Sequence, residues 1–264
     1  MSDKKLLHIC MYILFFFILI APKPFLAVEP AMPRISNMTK RNTTFYLSYY
    51  DMNGKLIRSI DKRKKMVAIT YDDGPSVNTD KILDTLKKYN CVATFFVIGN
   101  QVEDFSDTIK KAHNQGCEIG NHTYDHELLT TLGKSEIQYQ INSTNNLIAD
   151  ITGTSPKLMR PPCGLNDCWT DSNIPMPLIL WSIDTLDWKT LNPSSTIEAV
   201  LRDVKDGDIV LMHDFYAQTA TASETIIPSL VAEGYQLVTV SELAECRGVT
   251  LEPGSKYRHF HISD

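Results

Sequence analysis

The sequence predicts an α/β protein, a reduced and distorted (β/α) barrel of about seven parallel strands. Three observations carry that expectation. Short apolar runs alternate with amphipathic stretches from Met66 to Val240, the order of strand and crossover helix in a parallel sheet. Charged and polar residues gather just after those runs, where the C-terminal ends of parallel strands meet on one face. The alternating region is about 175 residues long, short of the roughly 250 of a full eight-unit barrel. A doubly wound open sheet is the alternative. No dinucleotide-binding glycine motif follows the first run, which counts against a nucleotide enzyme.

Taken in order, the chain begins with Lys4 and Lys5 ahead of an apolar stretch from Ile9 to Ile20, then small residues at Ala21 and Ala27. That layout predicts a secretory signal peptide over residues 1–27, since an apolar run of about a dozen residues is short of the ~20 that span a bilayer. The mature protein is then expected outside the cell, with no stable membrane span. Residues 28–65 read as an N-terminal extension, with a hairpin from Tyr46–Tyr50 and Lys55–Ile60 across Asp51-Met52-Asn53-Gly54. Residues 66–246 form the predicted catalytic domain and 247–264 a C-terminal tail, with His259 and His261 read as surface residues.

Strands are predicted at Met66–Tyr71, Ala93–Ile98, Cys117–Gly120, Lys157–Arg160, Leu178–Ile183, Asp208–His213 and Tyr235–Val240. Between them, Thr79 is placed to cap a helix with Ile82, Leu83, Leu86 and Tyr89 on one face. A second helix carries Ile137, Ile141, Ile148 and Ile151 and stops at Gly153. Gly116 closes a third, and Ile197, Val200, Leu201 and Val204 line a fourth.

The formal charge of -5 gives no electrostatic case for nucleic-acid binding. Glycosylation sequons at Asn37, Asn42, Asn121 and Asn142 agree with a secreted glycoprotein, and Asn121 is expected to stay unmodified because a glycan there would collide with the site below. Once Cys10 leaves with the signal, Cys91, Cys117, Cys163, Cys168 and Cys246 remain, an odd set whose pairing the sequence does not give. Cys163 and Cys168 are near enough for a local bridge; Cys91 and Cys117 read as buried thiols.

The residues at the strand ends are Asp72-Asp73, His122 and His126, Arg160, Asp184 and Asp187, and His213-Asp214. His122 and His126 are four apart and, on a helix, would project from one side as a metal pair. Thr123 stands where an HExxH protease would carry its glutamate base, so the base must come from elsewhere. Adjacent carboxylates at Asp72-Asp73 repel unless something positive holds at least one of them, and a metal on one with an arginine on the other would satisfy both. Two histidines and a carboxylate leave coordination positions open and suit zinc or another divalent first-row metal, with cobalt able to substitute.

The stretches Thr70-Tyr71-Asp72-Asp73-Gly74-Pro75, His122-Thr123-Tyr124-Asp125-His126, Arg160-Pro161-Pro162-Cys163-Gly164, Asp184-Thr185-Leu186-Asp187-Trp188 and Leu211-Met212-His213 resemble five ordered motifs of the polysaccharide deacetylase family. This is the NodB-homology group, carbohydrate esterase family 4, which includes chitin deacetylases, peptidoglycan deacetylases and acetylxylan esterases. The resemblance implies metal-dependent removal of N-acetyl groups from a chitin-like polymer of N-acetylglucosamine. It implies that Asp73, His122 and His126 bind the metal, that Asp72 is the general base and that Arg160 pairs with it. His213 would be the general acid, supported by Asp187, and the backbone N–H of Cys163 would help hold the oxyanion. Trp188 and Leu211 would wall the acetyl group and sugar ring. The family pattern has an aromatic residue where this chain has Cys163, so the resemblance does not carry a substrate-facing ring to that position. Removal of O-acetyl groups, or carbohydrate binding without turnover, are the other readings.

Overall fold

The computed structural model describes residues 49–50, 56–57 and 59–262, all within one unit, Phe45–Asp264. The expected signal peptide and the sequons at Asn37 and Asn42 lie outside the described residues. Strands β1 (Tyr49–Tyr50) and β2 (Leu56–Ile57) pair antiparallel, where the hairpin is expected.

The barrel is organised around β3 (Met66–Asp72), in which every side chain is buried. Such a run suits a central parallel strand covered on both faces. Its two faces part by the period of two. Val67, Ile69 and Tyr71 join the core beneath the helices, while Met66 and Ala68 join the core on the inner face. Asp72 shares the inner parity. Helix α1 (Thr79–Lys88), β4 (Thr94–Val97), α2 (Ser106–Asn114), β5 (Glu118–Asn121) and α3 (Lys134–Thr152) follow. Next come α4 (Cys168–Ser172), β6 (Leu178–Ile179), β7 (Ile183–Asp184), α5 (Asp187–Thr190) and α6 (Pro193–Asp203). The rest of the chain forms β8 (Asp208–His213), α7 (Ala217–Ala232), β9 (Gln236–Leu237), α8 (Val240–Cys246) and β10 (Lys256–Tyr257).

The sheet order is β5-β4-β3-β8-β7, all parallel, with β9 against the start of β3. Beyond β5, parallel bridges through Met159 lead to β6, which also pairs with β10. Because β6 and β7 are consecutive along the chain, segment 180–182 joins the two ends of the strip, and the sheet is a distorted barrel.

Several elements are shorter than expected, each for a local reason. Lys157–Arg160 contributes only bridges at Met159. Leu178–Ile183 breaks into β6 and β7 where the Ser182 hydroxyl turns to Asp208 (2.8 Å) and the Ile179 and Leu180 carbonyls turn to Arg160. Tyr235–Val240 yields just β9, because Thr239 and Glu242 form a reciprocal capping box that starts α8 at Val240. Thr79 is not a cap: Asn78 is, and the Thr79 hydroxyl accepts from Ser76 N (2.8 Å) and donates to Asp214 (2.5 Å). Gly153 does close α3, at φ 72°. The segment read as a tail packs onto the body through β10 and the buried Phe260, and the exposed His261 bonds Asp208 at 2.7 Å. Among the described residues no helix is long and apolar enough to cross a membrane.

Candidate active site

Strand register assembles the site. In the β3–β8 ladder Asp72 stands opposite His213, so two strand ends set an acidic pair beside a histidine. The β4–β5 ladder carries Asn121 to the same rim, paired with Val97. Asn121 is fully buried: its amide donates to the Ile141 carbonyl (2.9 Å) and Asn145 (2.8 Å), while its oxygen accepts from Thr123 N (2.7 Å). That use of the side chain agrees with leaving Asn121 unglycosylated. His122 and His126 lie on the loop after β5 and not on a helix. Thr123 and His126 have φ of 69° and 64°, and the Thr123 hydroxyl accepts from His126 N at 3.1 Å. The two imidazoles still meet, with ring centroids 5.0 Å apart.

Asp73 sits between them, its Oδ1 3.3 Å from Nε2 of each histidine. This oxygen is buried and hydrogen-bonded to nothing among the described residues. The Nδ1 of His122 lies 2.7 Å from the Arg160 carbonyl. A carbonyl only accepts, so Nδ1 carries the proton and Nε2 turns its lone pair to Asp73. The donors Asp73, His122 and His126 lie within 4.8 Å of one another. A spacing near 3.3 Å is what ligands about 2.0–2.1 Å from a tetrahedral ion would show. An orphaned carboxylate oxygen, two facing imidazoles and a fixed tautomer fit a divalent cation.

The charges agree. Burial would raise Asp73, but His122 beside it, with His213 and His126, holds it at about 2. Burial opposes a charged His122, yet Asp72 and Asp73 raise it. His126 is lowered by burial and by its histidine neighbours. The negative potential that would protonate His122 is also what draws a cation.

Behind this cluster Arg160 is wholly buried. It donates to Asp72 Oδ1 (2.7 Å), Thr70 Oγ1 (2.7 Å) and the Ile179 and Leu180 carbonyls (2.9 and 3.0 Å), with its guanidinium 4.3 Å from the Phe96 ring centroid. Asp72 Oδ2 is left toward the cleft, 3.7 Å from His122 Nε2. On the other side Asp187 Oδ1 accepts from His213 Nδ1 (2.8 Å) and Trp188 N (2.9 Å), and Oδ2 from His213 N (2.8 Å) and Thr219 Oγ1 (2.6 Å). Burial works against a charged His213. The Asp187 hydrogen bond and the charges of Asp72, Asp187 and Asp73 overrule it and raise the imidazole to about 9.

A cleft of about 330 Å³ opens over these groups. Asp72, Asp73, His122, His126, Cys163, Trp188, Leu211 and His213 line it, while Arg160 and Asp187 stand behind their partners. Cys163, at φ 57°, and Cys168 are exposed free thiols and not a bridge. Trp181, Asp184 and Tyr216 also line the cleft, and of these only Asp184 stands out in the sequence, as a strand-end residue. Trp181 was hidden inside a single expected strand; its signal is a large aromatic three residues before Asp184. Asp214 lies beneath the floor, raised to about 7 by burial, and a side chain at Gly74 would collide with its carboxylate. A cleft of similar size, about 320 Å³, lies over Glu118. That carboxylate is already committed to Ser241 N and Oγ and to Thr94 Oγ1, which anchors α8.

The family model for polysaccharide deacetylase matches residues 59–172. The peptidoglycan-N-acetylmuramic acid deacetylase PdaC of Bacillus subtilis strain 168 is 42% identical over 190 residues, 72% of this chain and 41% of PdaC. The chain thus spans about two-fifths of the length of that curated relative. A peptidoglycan-N-acetylglucosamine deacetylase of Bacillus cereus is 35% identical over 199 residues, covering 72% of this chain and 93% of the relative. Among solved structures, a family 4 acetyl xylan esterase from Clostridium thermocellum, in complex with cobalt, superposes with a TM-score of 0.72 at 34% identity, covering 75% of this chain and all of the other.

Proposed function

The chain belongs to the polysaccharide deacetylase family, and from that premise we propose that its cleft hydrolyses N-acetyl groups on a cell-wall glycan with the help of one divalent metal, zinc first. The observation that carries the reading is the arrangement of a carboxylate base and a protonated imidazole around one open three-donor cluster. Asp73, His122 and His126 would hold the ion. Bound there, it supplies Lewis acidity to the acetyl carbonyl.

The protein's own groups supply the rest. Asp72 has Oδ1 tied to Arg160, so Oδ2 is the atom that takes a proton from the attacking water. Arg160 holds that carboxylate in place and aimed. His213 has Nδ1 held by Asp187, so Nε2 delivers the proton to the departing nitrogen. The Cys163 N–H is assigned to the oxyanion, and Trp188 and Leu211 to the walls around the acetyl group and sugar ring. An amine leaves poorly unless protonated, and an imidazole whose Nδ1 is held by the Asp187 carboxylate suits an amide better than an ester. This favours N-deacetylation over the O-acetyl activity that the xylan esterase relative would suggest. The named activities of PdaC and the B. cereus relative support a peptidoglycan glycan over chitin in this reading.

Acetate release by zinc- or cobalt-loaded protein across peptidoglycan fragments, N-acetylglucosamine oligomers, acetylxylan and an aryl acetate tests the proposal. Release from an N-acetylated glycan is expected. Release from esters alone would make it an esterase, and metal binding without release from any substrate would favour a binding protein.

A further inference from the structure

Tyr216 stands in the cleft, half-buried, with a hydroxyl that has no hydrogen-bond partner among the described residues. Its backbone is fixed from both sides. Its N–H donates to the His213 carbonyl (3.4 Å), and its own carbonyl accepts from Thr219 N (3.1 Å) and Ala220 N (3.3 Å) at the start of α7. The ring is held as well, edge-on to His213 with centroids 6.2 Å apart and edge-on to Phe215 at 5.4 Å. A side chain so restrained, with its one polar atom unused, is organised in advance for something that enters the cleft.

Position decides what that is. His213 serves the departing nitrogen, so the group beside it faces the sugar that carries the nitrogen. The geometry points to Tyr216 as a substrate-positioning residue whose hydroxyl donates a hydrogen bond to a ring hydroxyl of the N-acetylated sugar. This assignment rests on the deacetylase reading of the cleft. Burial raises the phenol above its ordinary value, with the Asp73 and Asp187 charges adding to the effect, so it stays a donor at working pH.

Tyr216→Phe removes the hydroxyl and keeps the ring. Full-length, zinc-loaded wild type and variant are compared on 4-nitrophenyl acetate, which has no sugar, and on a peptidoglycan fragment or an N-acetylglucosamine pentamer, whichever wild type turns over faster. The expected result is about a tenfold fall in glycan kcat/KM, mostly through KM, with aryl acetate hydrolysis within about twofold. The melting temperature should hold within about 2 °C, because no hydrogen bond within the protein is lost. Unchanged glycan kinetics in an active enzyme would overturn the assignment and leave the function standing. An equal fall on both substrates would also overturn it, placing the effect on the chemistry at His213. Wild type that releases acetate from no N-acetylated glycan would remove the deacetylase reading and this assignment with it.

Discussion

Two carboxylate–cation pairs flank the cleft, and they are built differently. Arg160 and Asp72 are buried to 0% and 5% side-chain exposure, and each guanidinium nitrogen is hydrogen-bonded between strands. His213 sits nearer the rim, with the imidazole 12% exposed over an Asp187 that is only 1% exposed, and its cation is one that a proton can leave. The proposed chemistry asks for this contrast. A base is held in place by a charge that is never lost, whereas an acid must release its proton in each cycle and regain it from solvent. The pairs therefore should fail in different ways.

The largest effect is expected from Arg160→Met. It strands a buried carboxylate and two carbonyls, and breaking a buried pair from one side costs about 3–5 kcal/mol. Denaturant unfolding should show that loss, with acetate release gone. A variant as stable as wild type would break the contrast outright.

Asp187→Asn should act through pH. The folded-state pKa of His213 is raised from 6.5 to about 9, so the stability it contributes is fully present below about pH 6.5 and lost as pH rises through about 9. The amount is roughly 3 kcal/mol at most. Unfolding free energies of metal-free protein at pH 6 and 10 should differ less in the variant than in wild type, by a part of that amount, because Asp72 and Asp73 also raise the imidazole. The alkaline limb of turnover should move to lower pH. An unchanged pH slope would mean that Asp187 does not set the imidazole.

Both pairs are legible in the sequence, but not everything that holds the second in place. β3 and β8 were legible because continuous apolar runs mark strands buried on both faces, and their shared inner parity brings Asp72 and His213 together. The histidine pair was found by its spacing although the geometry assumed for it was wrong: a loop with positive φ at Thr123 and His126 replaces the helix. Helix α7 escaped notice because its threonines, alanines and serines give no sharp apolar stripe and Pro228 interrupts it. With it went Thr219 and the cap at Tyr216. Such partners belong to no motif and become visible only when α7 packs behind β8.

Thr219→Val is the smallest and sharpest test of the rim pair. It removes one of the donors to Asp187 without touching His213. A loss of about 1 kcal/mol in stability and a severalfold fall in turnover are expected from unfolding and rate measurements. A change equal to that of Asp187→Asn would show that the carboxylate depends on this single hydroxyl.

The most direct test of the central claim is Asp72→Asn, read for metal content and for acetate release on the same preparation. The account predicts one divalent ion per chain, as in wild type, with release lowered by about 10²–10⁴-fold, the usual contribution of a positioned general base. Undiminished release, or loss of the ion along with activity, would contradict the separation of base from metal ligand on which the proposed mechanism stands.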